Sequence, residues 1–412
     1  MEGAWVKPRV HGGWLCLEYN VVLVRYSEIA VKGGYTRSRM ERLLLRALEE
    51  SLAAAGVEAE VERLQGRVLV RLRSPGDAAA AARASARVFG VKSVSPAVEV
   101  EYSGIEDLAE KAAEFFGERV RGRVFRVRAR RSGVEGFTSK DVERLLGKLL
   151  LERGAGGVDL EKPEYTAYVE VRGRRAYFFD TINPGPGGLP VGSEEPSLAL
   201  YSGGFDSGVA AWMIMRRGSP VHLAFYDFGV PEALEVAVEG AKTLAGEWAW
   251  GYRPRLYVVN FRGAALIVNG LVKPSYRTLV LRRLMLLHAQ DLAAREGFEA
   301  LVTGESVGQV ASQTVRNLRL ISSGLELPVL RPLAGMDKDE IVEKSREIGL
   351  YDIARRQVEV CGVDQPPNPR ASPQGFRSEF EKVRDIFIPP PRVFDLKGES
   401  LHSILKTLGL RG

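Results

Sequence analysis

Two cysteines in 412 residues, Cys16 and Cys361, cannot build a disulfide framework, and the cytoplasm is the expected compartment. No run of about 18 apolar residues occurs, so no membrane span is expected. The opening stretch "MEGAWVKPRVHGGWLCLEYN" lacks the basic-then-apolar pattern of a secretory signal. Asn and Gln are sparse beside abundant arginine, in keeping with a thermophile. No internal repeat is evident. A further absence is local. The stretch "LALYSGGFDSGVAAWM", residues 198–213, reads as a phosphate turn, yet has no lysine where a Walker A loop carries one.

What is present is an ordinary globular composition, with 45% hydrophobic and 27% charged residues. The net charge of +6 permits a polyanionic partner without demanding one. The length suits about two or three domains. "VVLVRY" reads as a buried strand, and 37–55 carries apolar residues at helical spacing. "EAEVERL" and "RVLVRLR" alternate as strands, then a helix and a strand follow. That β-α-β-β-α-β order predicts a small two-layer α+β unit ending near residue 100. A second unit has the helix "SGIEDLAEKAAEFFGERV", the strand "RVFRVRARR", a helix capped by Thr138 or Ser139, and a hairpin-like pair. The Pro/Gly-rich residues 183–196 read as a linker. Beyond it, the strands "LALYS", "VHLAFYDF", "LYVVNF" and "EALVTG" alternate with helices at 207–217, about 232–247, 276–295 and 338–348. This predicts a doubly wound parallel sheet with ligands at the carboxyl ends of its strands. The last 50 residues read as irregular apart from one short helix.

The turn between "LALYS" and its helix places Gly203 and Gly204 where backbone must approach an anion. Ser202 and Ser207 add hydroxyls. Asp206 repels a phosphate unless a cation lies between, and Mg²⁺ is the natural one. The plainer reading is a tight turn with Asp206 as a helix cap.

"SGGFDS" resembles the signature of the PP-loop ATP pyrophosphatases, which adenylate a substrate oxygen and release pyrophosphate. "VTGESVGQVASQT", "VLRPLAGMDKDEI" and "YDIARRQVEVCGVDQPPNPRAS" are similar to consecutive segments of the tRNA 4-thiouridine synthetases, the ThiI family. "LVRYSEIAVKGGYTRSRM" resembles that family's N-terminal ferredoxin-like domain, and "RVFRVRARR…GFTSKDVERLLG" its THUMP domain. The resemblance runs in order over nearly the whole chain. It implies an α+β and α/β multidomain chain: a ferredoxin-like domain at 1–98, a THUMP RNA-binding domain at 99–190, and a Rossmann-like PP-loop domain with a parallel sheet at 191–412.

By that resemblance ATP is bound by Leu200, Tyr201, Ser202, Gly203, Gly204, Phe205, Asp206 and Ser207, with Phe225, Tyr226, Arg282, Gly304 and Gln313. Read from the residues alone, Arg282 is equally a solvated helix charge and Gln313 a polar cap. Asp206 and Lys338 match positions required for adenylation, with Asp206 also near the metal of Mg-ATP. The bland reading of Lys338 is a solvated first-turn lysine. Cys361 matches a sulfur-carrying cysteine, or is a structural one. The implied reaction is adenylation of O4 of uridine 8 in tRNA, then replacement by sulfur to give 4-thiouridine, with AMP and pyrophosphate released. Only 51 residues follow Cys361, and they contain no cysteine, so no rhodanese domain is expected. Two cysteines cannot ligate an iron–sulfur cluster within one subunit. Sulfide, an external persulfide carrier or a cysteine pair across a homodimer remain as sulfur routes.

Arg119, Arg121, Arg123, Arg126, Arg128, Arg130 and Arg131, with Lys140, form the expected RNA-binding set. Alternation along a strand puts several of them on one face, suited to phosphate contacts or to solvent. Arg172, Arg174 and Arg175 extend the stripe. The implied partner is tRNA, its 3′ end on the THUMP unit and its uridine at the PP-loop. Competing readings are a PP-loop ligase acting on a small molecule, a non-enzymatic RNA-binding adaptor, and sulfur carriage for thiazole synthesis.

Overall fold

The computed structural model describes residues 18–358 and 370–410. The chain forms two compact units, 1–188 and 189–412. Cys16 and Cys361 both lie outside the described residues. Among those residues no helix is long and apolar enough to cross a membrane.

The first unit begins with β1 (Val21–Tyr26), α1 (Gly34–Ala54), β2 (Ala59–Leu64), β3 (Arg67–Leu72), α2 (Ala78–Ser85) and β4 (Val91–Glu101), the expected β-α-β-β-α-β order. It continues through α3 (Ile105–Val120), β5 (Val124–Ser132), α4 (Ser139–Glu152), β6 (Gly157–Val158), β7 (Tyr165–Arg172), β8 (Arg175–Phe179) and β9 (Asn183–Pro184). One sheet runs through all of it, in the order β2-β3-β1-β4-β8-β7-β5-β6, with β9 also on β4. The joint is β4. Its residues 91–97 pair with β1, and 98–101 pair with β8. Leu108, Phe115 and Phe116 of α3 and Leu146 and Leu150 of α4 cover one face of the later strands. The other face carries a smaller cluster in which Val21, Leu23 and Leu69 meet Tyr177 and Phe179. Apolar contact on that face therefore crosses the shared strand.

The second unit is doubly wound. β10 (Ser197–Leu200), α5 (Phe205–Arg216), β11 (Val221–Asp227), α6 (Pro231–Trp248), β12 (Arg255–Asn260), α7 (Arg262–Leu271), α8 (Pro274–Glu296) and β13 (Ala300–Val302) come first. Then come α9 (Val315–Ser322), β14 (Val329–Leu330), α10 (Lys338–Glu347), α11 (Tyr351–Ala354), α12 (Pro373–Glu381), β15 (Arg392–Asp395) and α13 (Leu401–Thr407). The sheet order is β14-β13-β10-β11-β12-β15, parallel except for β15. Strand order reverses between β10 and β13, which opens a crevice at their carboxyl ends. The C-terminal segment is more regular than expected. Ser372 caps α12 through the Gly375 amide at 3.0 Å, and β15 follows Pro389–Pro391 as an edge strand, where proline costs no ladder bond.

Local chemistry explains the boundaries. Thr138 caps α4, and its hydroxyl accepts from the Asp141 amide at 3.2 Å. The Asp141 carboxylate accepts from the Thr138 amide at 2.8 Å, which closes a capping box. Thr138→Ala should cost about 1 kcal/mol, and Thr138→Ser should recover most of it. The shift in denaturant midpoint, followed by circular dichroism, measures both.

Candidate functional site

The site is built where β10 and β13 end. After Leu200, Tyr201 still donates to the Ala224 carbonyl at 2.8 Å, and the chain then turns through Ser202–Gly204 into α5. Gly203 has φ +83, and a Cβ there would stand 2.9 Å from Cα of Ala237 on α6. Both the conformation and the packing demand glycine. The Ser207 hydroxyl accepts from the Ser202 amide at 3.1 Å and lies 3.1 Å from the Ser202 hydroxyl, so the two serines close the turn. The N-cap of α5, Gly204, provides no side-chain cap. The first-turn amides of α5 therefore face the crevice uncapped, the arrangement that binds anions.

Gly304 forms the second wall. A Cβ there would come within 2.7 Å of the Asp206 carbonyl carbon and 2.8 Å of the Ser207 nitrogen. The end of β13 thus presses directly on the first turn of α5. The third element is α10. Asp337 and Glu340 close its capping box, and Lys338 projects from the start of the helix. Its Nζ donates to Asp206 Oδ1 at 2.7 Å and lies 5.5 Å from the Phe205 ring centroid. Lys338 is 46% exposed and Asp206 29%, so both remain reachable from solvent.

The other expected nucleotide residues divide into two groups. Tyr201, Phe225 and Tyr226 are buried, and burial pushes the Tyr201 and Tyr226 phenols far above their usual range. The Tyr226 hydroxyl donates to the Met285 carbonyl at 2.9 Å, inside the core under α8. All three side chains are buried in the core. Gln313 is also buried, and its Oε1 accepts from the Ser306 amide at 3.3 Å. It shapes the loop after β13. Arg282 lies on α8, 3.7 Å from the Glu305 carboxylate.

Glu305 was not among the sequence candidates. It is buried, accepts from Arg331 Nε at 2.9 Å and from the Thr303 hydroxyl, and so joins Arg282 and Arg331 beside Gly304. Its place next to Gly304 in "TGESVGQ" was the available signal. Among the described residues no group of three or more His, Cys, Asp or Glu is placed to hold a metal.

In the first unit β5 sorts the arginine stripe by face. Along β5, Phe125 and Val127 face the helices, which leaves Arg126, Arg128 and Arg130 on the opposite face. Arg119 lies 3.9 Å from the Phe115 ring centroid and 3.9 Å from the Asp180 carboxylate. It is tied to the helix layer. Arg131 donates to the Val134 carbonyl, and Arg121 pairs with Glu118. Arg123 and Lys140 are exposed outside the strand.

Comparison with known proteins follows the same division. A model of the thiamine biosynthesis protein (ThiI) family matches residues 192–384, a ThiI ferredoxin-like domain 21–95, and a THUMP domain 102–179. The tRNA sulfurtransferase of Pyrobaculum aerophilum is 43% identical over 343 residues, which cover 83% of this chain and 69% of that protein. The chain belongs to the tRNA sulfurtransferase family. A second member, from Thermoplasma acidophilum, is 40% identical over 398 residues, 95% of this chain and 80% of that protein. A crystal structure of a 4-thiouridine synthetase–RNA complex with bound ATP matches with a TM-score of 0.75 at 31% identity. That match covers 89% of this chain and 95% of the other.

In this family member, Gly304→Ala should weaken ATP binding by at least about tenfold, because the new methyl displaces the Asp206–Ser207 peptide. Gly335→Ala, which meets nothing within 4 Å, serves as the control. Calorimetric titration with ATP reads both.

Proposed function

We propose that the chain is an ATP-dependent tRNA uridine 4-sulfurtransferase. The observation that carries this reading is the uncapped start of α5 with Asp206 and Lys338 paired at 2.7 Å beside it. A γ-phosphate transferase keeps its lysine on the loop. Here the lysine stands on another helix, opposite the loop amides. That geometry suits a pyrophosphate held by the amides while Lys338 neutralises charge that develops at the α-phosphate. The solved 4-thiouridine synthetase complex supports uridine in RNA as the acceptor.

The chemistry runs in two displacements. Uridine O4 attacks the α-phosphorus of ATP, and the bond to pyrophosphate breaks. A sulfur nucleophile then adds at C4, and the C4–O4 bond breaks as AMP leaves with O4. Sulfide displaces AMP directly. From an external persulfide carrier the outer sulfur adds at C4 to give a carrier–S–S–C4 disulfide. A second thiol then attacks the carrier sulfur, ends as a disulfide with it and releases 4-thiouridine with the transferred sulfur. Cys361 is proposed to carry or relay it, and a homodimer would let two subunits bring a cysteine pair together.

The residues fit Mg-ATP. Magnesium takes one or two carboxylates together with phosphate oxygens, and Asp206 supplies one carboxylate at the turn. Bound there, the ion would neutralise charge on the leaving pyrophosphate. The two cysteines do not fit an iron–sulfur cluster held by one subunit.

The test is incubation with unmodified tRNA, Mg-ATP and sulfide, with AMP measured by chromatography and 4-thiouridine by absorbance. Both products are expected. Neither appearing would sink the proposal. Asp206→Ala and Lys338→Met should each lower AMP formation by about 100-fold or more. Cys361→Ser should retain activity with sulfide and lose it with a persulfide donor. Full activity with both would remove Cys361 from the sulfur route.

A further inference from the structure

The face of the first unit's sheet that turns away from its helices carries an unbalanced cluster of charge. Glu170 on β7 is buried, at 4% exposure. Arg172 donates to it at 2.8 Å, Arg67 of β3 lies at 3.2 Å, and Arg25 of β1 at 3.8 Å. Arg130 sits directly across from Glu170 in the β5–β7 register, so its side chain shares that face. Three guanidinium groups thus lie within 4 Å of one carboxylate, and a fourth arginine shares their face.

The neighbouring cluster differs. There Arg71 and Arg175 face Glu62, Glu99 and Glu101, two positive charges against three negative. Among the described residues the Glu170 cluster has no second carboxylate of this kind. Arg25 is 9% exposed, donates to the Ser95 hydroxyl at 2.9 Å and stacks 4.7 Å from the Phe179 ring centroid. Its Nη2 is buried without a hydrogen bond among the described residues, and Nε of Arg67, also buried, has Glu170 at 3.2 Å as its ion-pair partner. Burial pushes the Arg25 guanidinium down to about 10; Glu170 opposes the fall and Arg67, Arg130 and Arg172 add to it. Confining surplus positive charge in a half-dry pocket is unfavourable unless an anion completes it.

We propose that Arg25, Arg67, Arg130 and Arg172 form a phosphate-binding pocket for the RNA backbone, spaced in the free protein by Glu170. The pocket is composite. β1 and β3 belong to the ferredoxin-like half and β5 and β7 to the THUMP half, so the shared sheet aligns it. Guanidinium forks match phosphate oxygens bidentately, and the exposed Arg130 is the entry point. The proposal rests on RNA being the substrate and adds a contact that positions it.

The experiment measures tRNA affinity by filter binding between low and moderate salt, for the intact chain and for Arg130→Gln, Arg67→Gln and Arg144→Gln. Arg144, exposed on the outer side of α4, controls for loss of one charge alone. Circular dichroism checks folding, and Arg130, which is exposed, keeps the test valid if Arg67→Gln unfolds. Arg130→Gln and Arg67→Gln should each weaken binding roughly fivefold and flatten the salt slope by about one, with Arg144→Gln unchanged. Equal affinity and slope for all three variants and the intact chain would overturn the pocket. Inorganic phosphate is the second arm, read by thermal shift. A shift lost in Arg67→Gln, with RNA affinity untouched, would make this a free-phosphate site and also overturn the proposal. Binding is measured without turnover. A failed pocket with normal 4-thiouridine formation therefore stands apart from failure of the sulfurtransferase reading.

Discussion

The ion pair between Lys338 and Asp206 is the constraint around which the second unit is arranged. A carboxylate in the first turn of α5 is favoured by the helix dipole but opposes an incoming phosphate. The lysine cancels that opposition. An exposed pair of this kind is itself worth only about 0–1 kcal/mol, so it cannot hold α10 in place. Packing does so. Gly208 leaves space for the Leu350 side chain, the Phe205 and Tyr351 rings lie 5.6 Å apart, and Trp248 Nε1 donates to the Ile348 carbonyl at 3.0 Å. Apolar contacts position the charge, and the charge tunes the site.

The same logic applies where β13 meets α5. The switch point between β10 and β13 leaves a crevice, and the missing side chain of Gly304 lets the two sides close on each other. Glu305 follows at once and fixes Arg331 and Arg282 in that loop. One residue supplies close approach and the next supplies charge. A bulkier residue at 304 would displace both.

Much of this was legible in the sequence, for a physical reason. The phosphate turn is local: a buried strand, glycines and a helix start occupy a few adjacent residues, and each has its own signature. The alternation of Phe125 and Val127 with Arg126, Arg128 and Arg130 was equally local. What escaped depended on distant contacts. α7 carries two glycines and the β-branched Ile267 and Val268, which lower helix propensity, and tertiary packing of Ala264 and Val268 overrides it. β15 is a strand only because β12 offers an edge. Glu305 gained its meaning from Arg331, 26 residues on, and the approach of Arg119 to Asp180 at 3.9 Å joins residues distant in sequence.

Moving the lysine off the phosphate loop has a further structural consequence. On α10 its placement depends on the whole segment from 338 to 357 docking against α5 and α6. That segment ends with Gln357, whose Oε1 lies 3.1 Å from where a Cβ on Gly203 would stand. Cys361 follows four residues later in the sequence. Arg356 also pairs with Glu239 on α6. The element that carries Lys338 is therefore continuous in sequence with the chain leading to Cys361. A lysine on the loop itself would have placed the charge without coupling it to that chain. Under the proposed reaction, with two successive displacements at one uridine, such coupling would link Lys338, proposed to aid the first, to the segment carrying Cys361, proposed for the second.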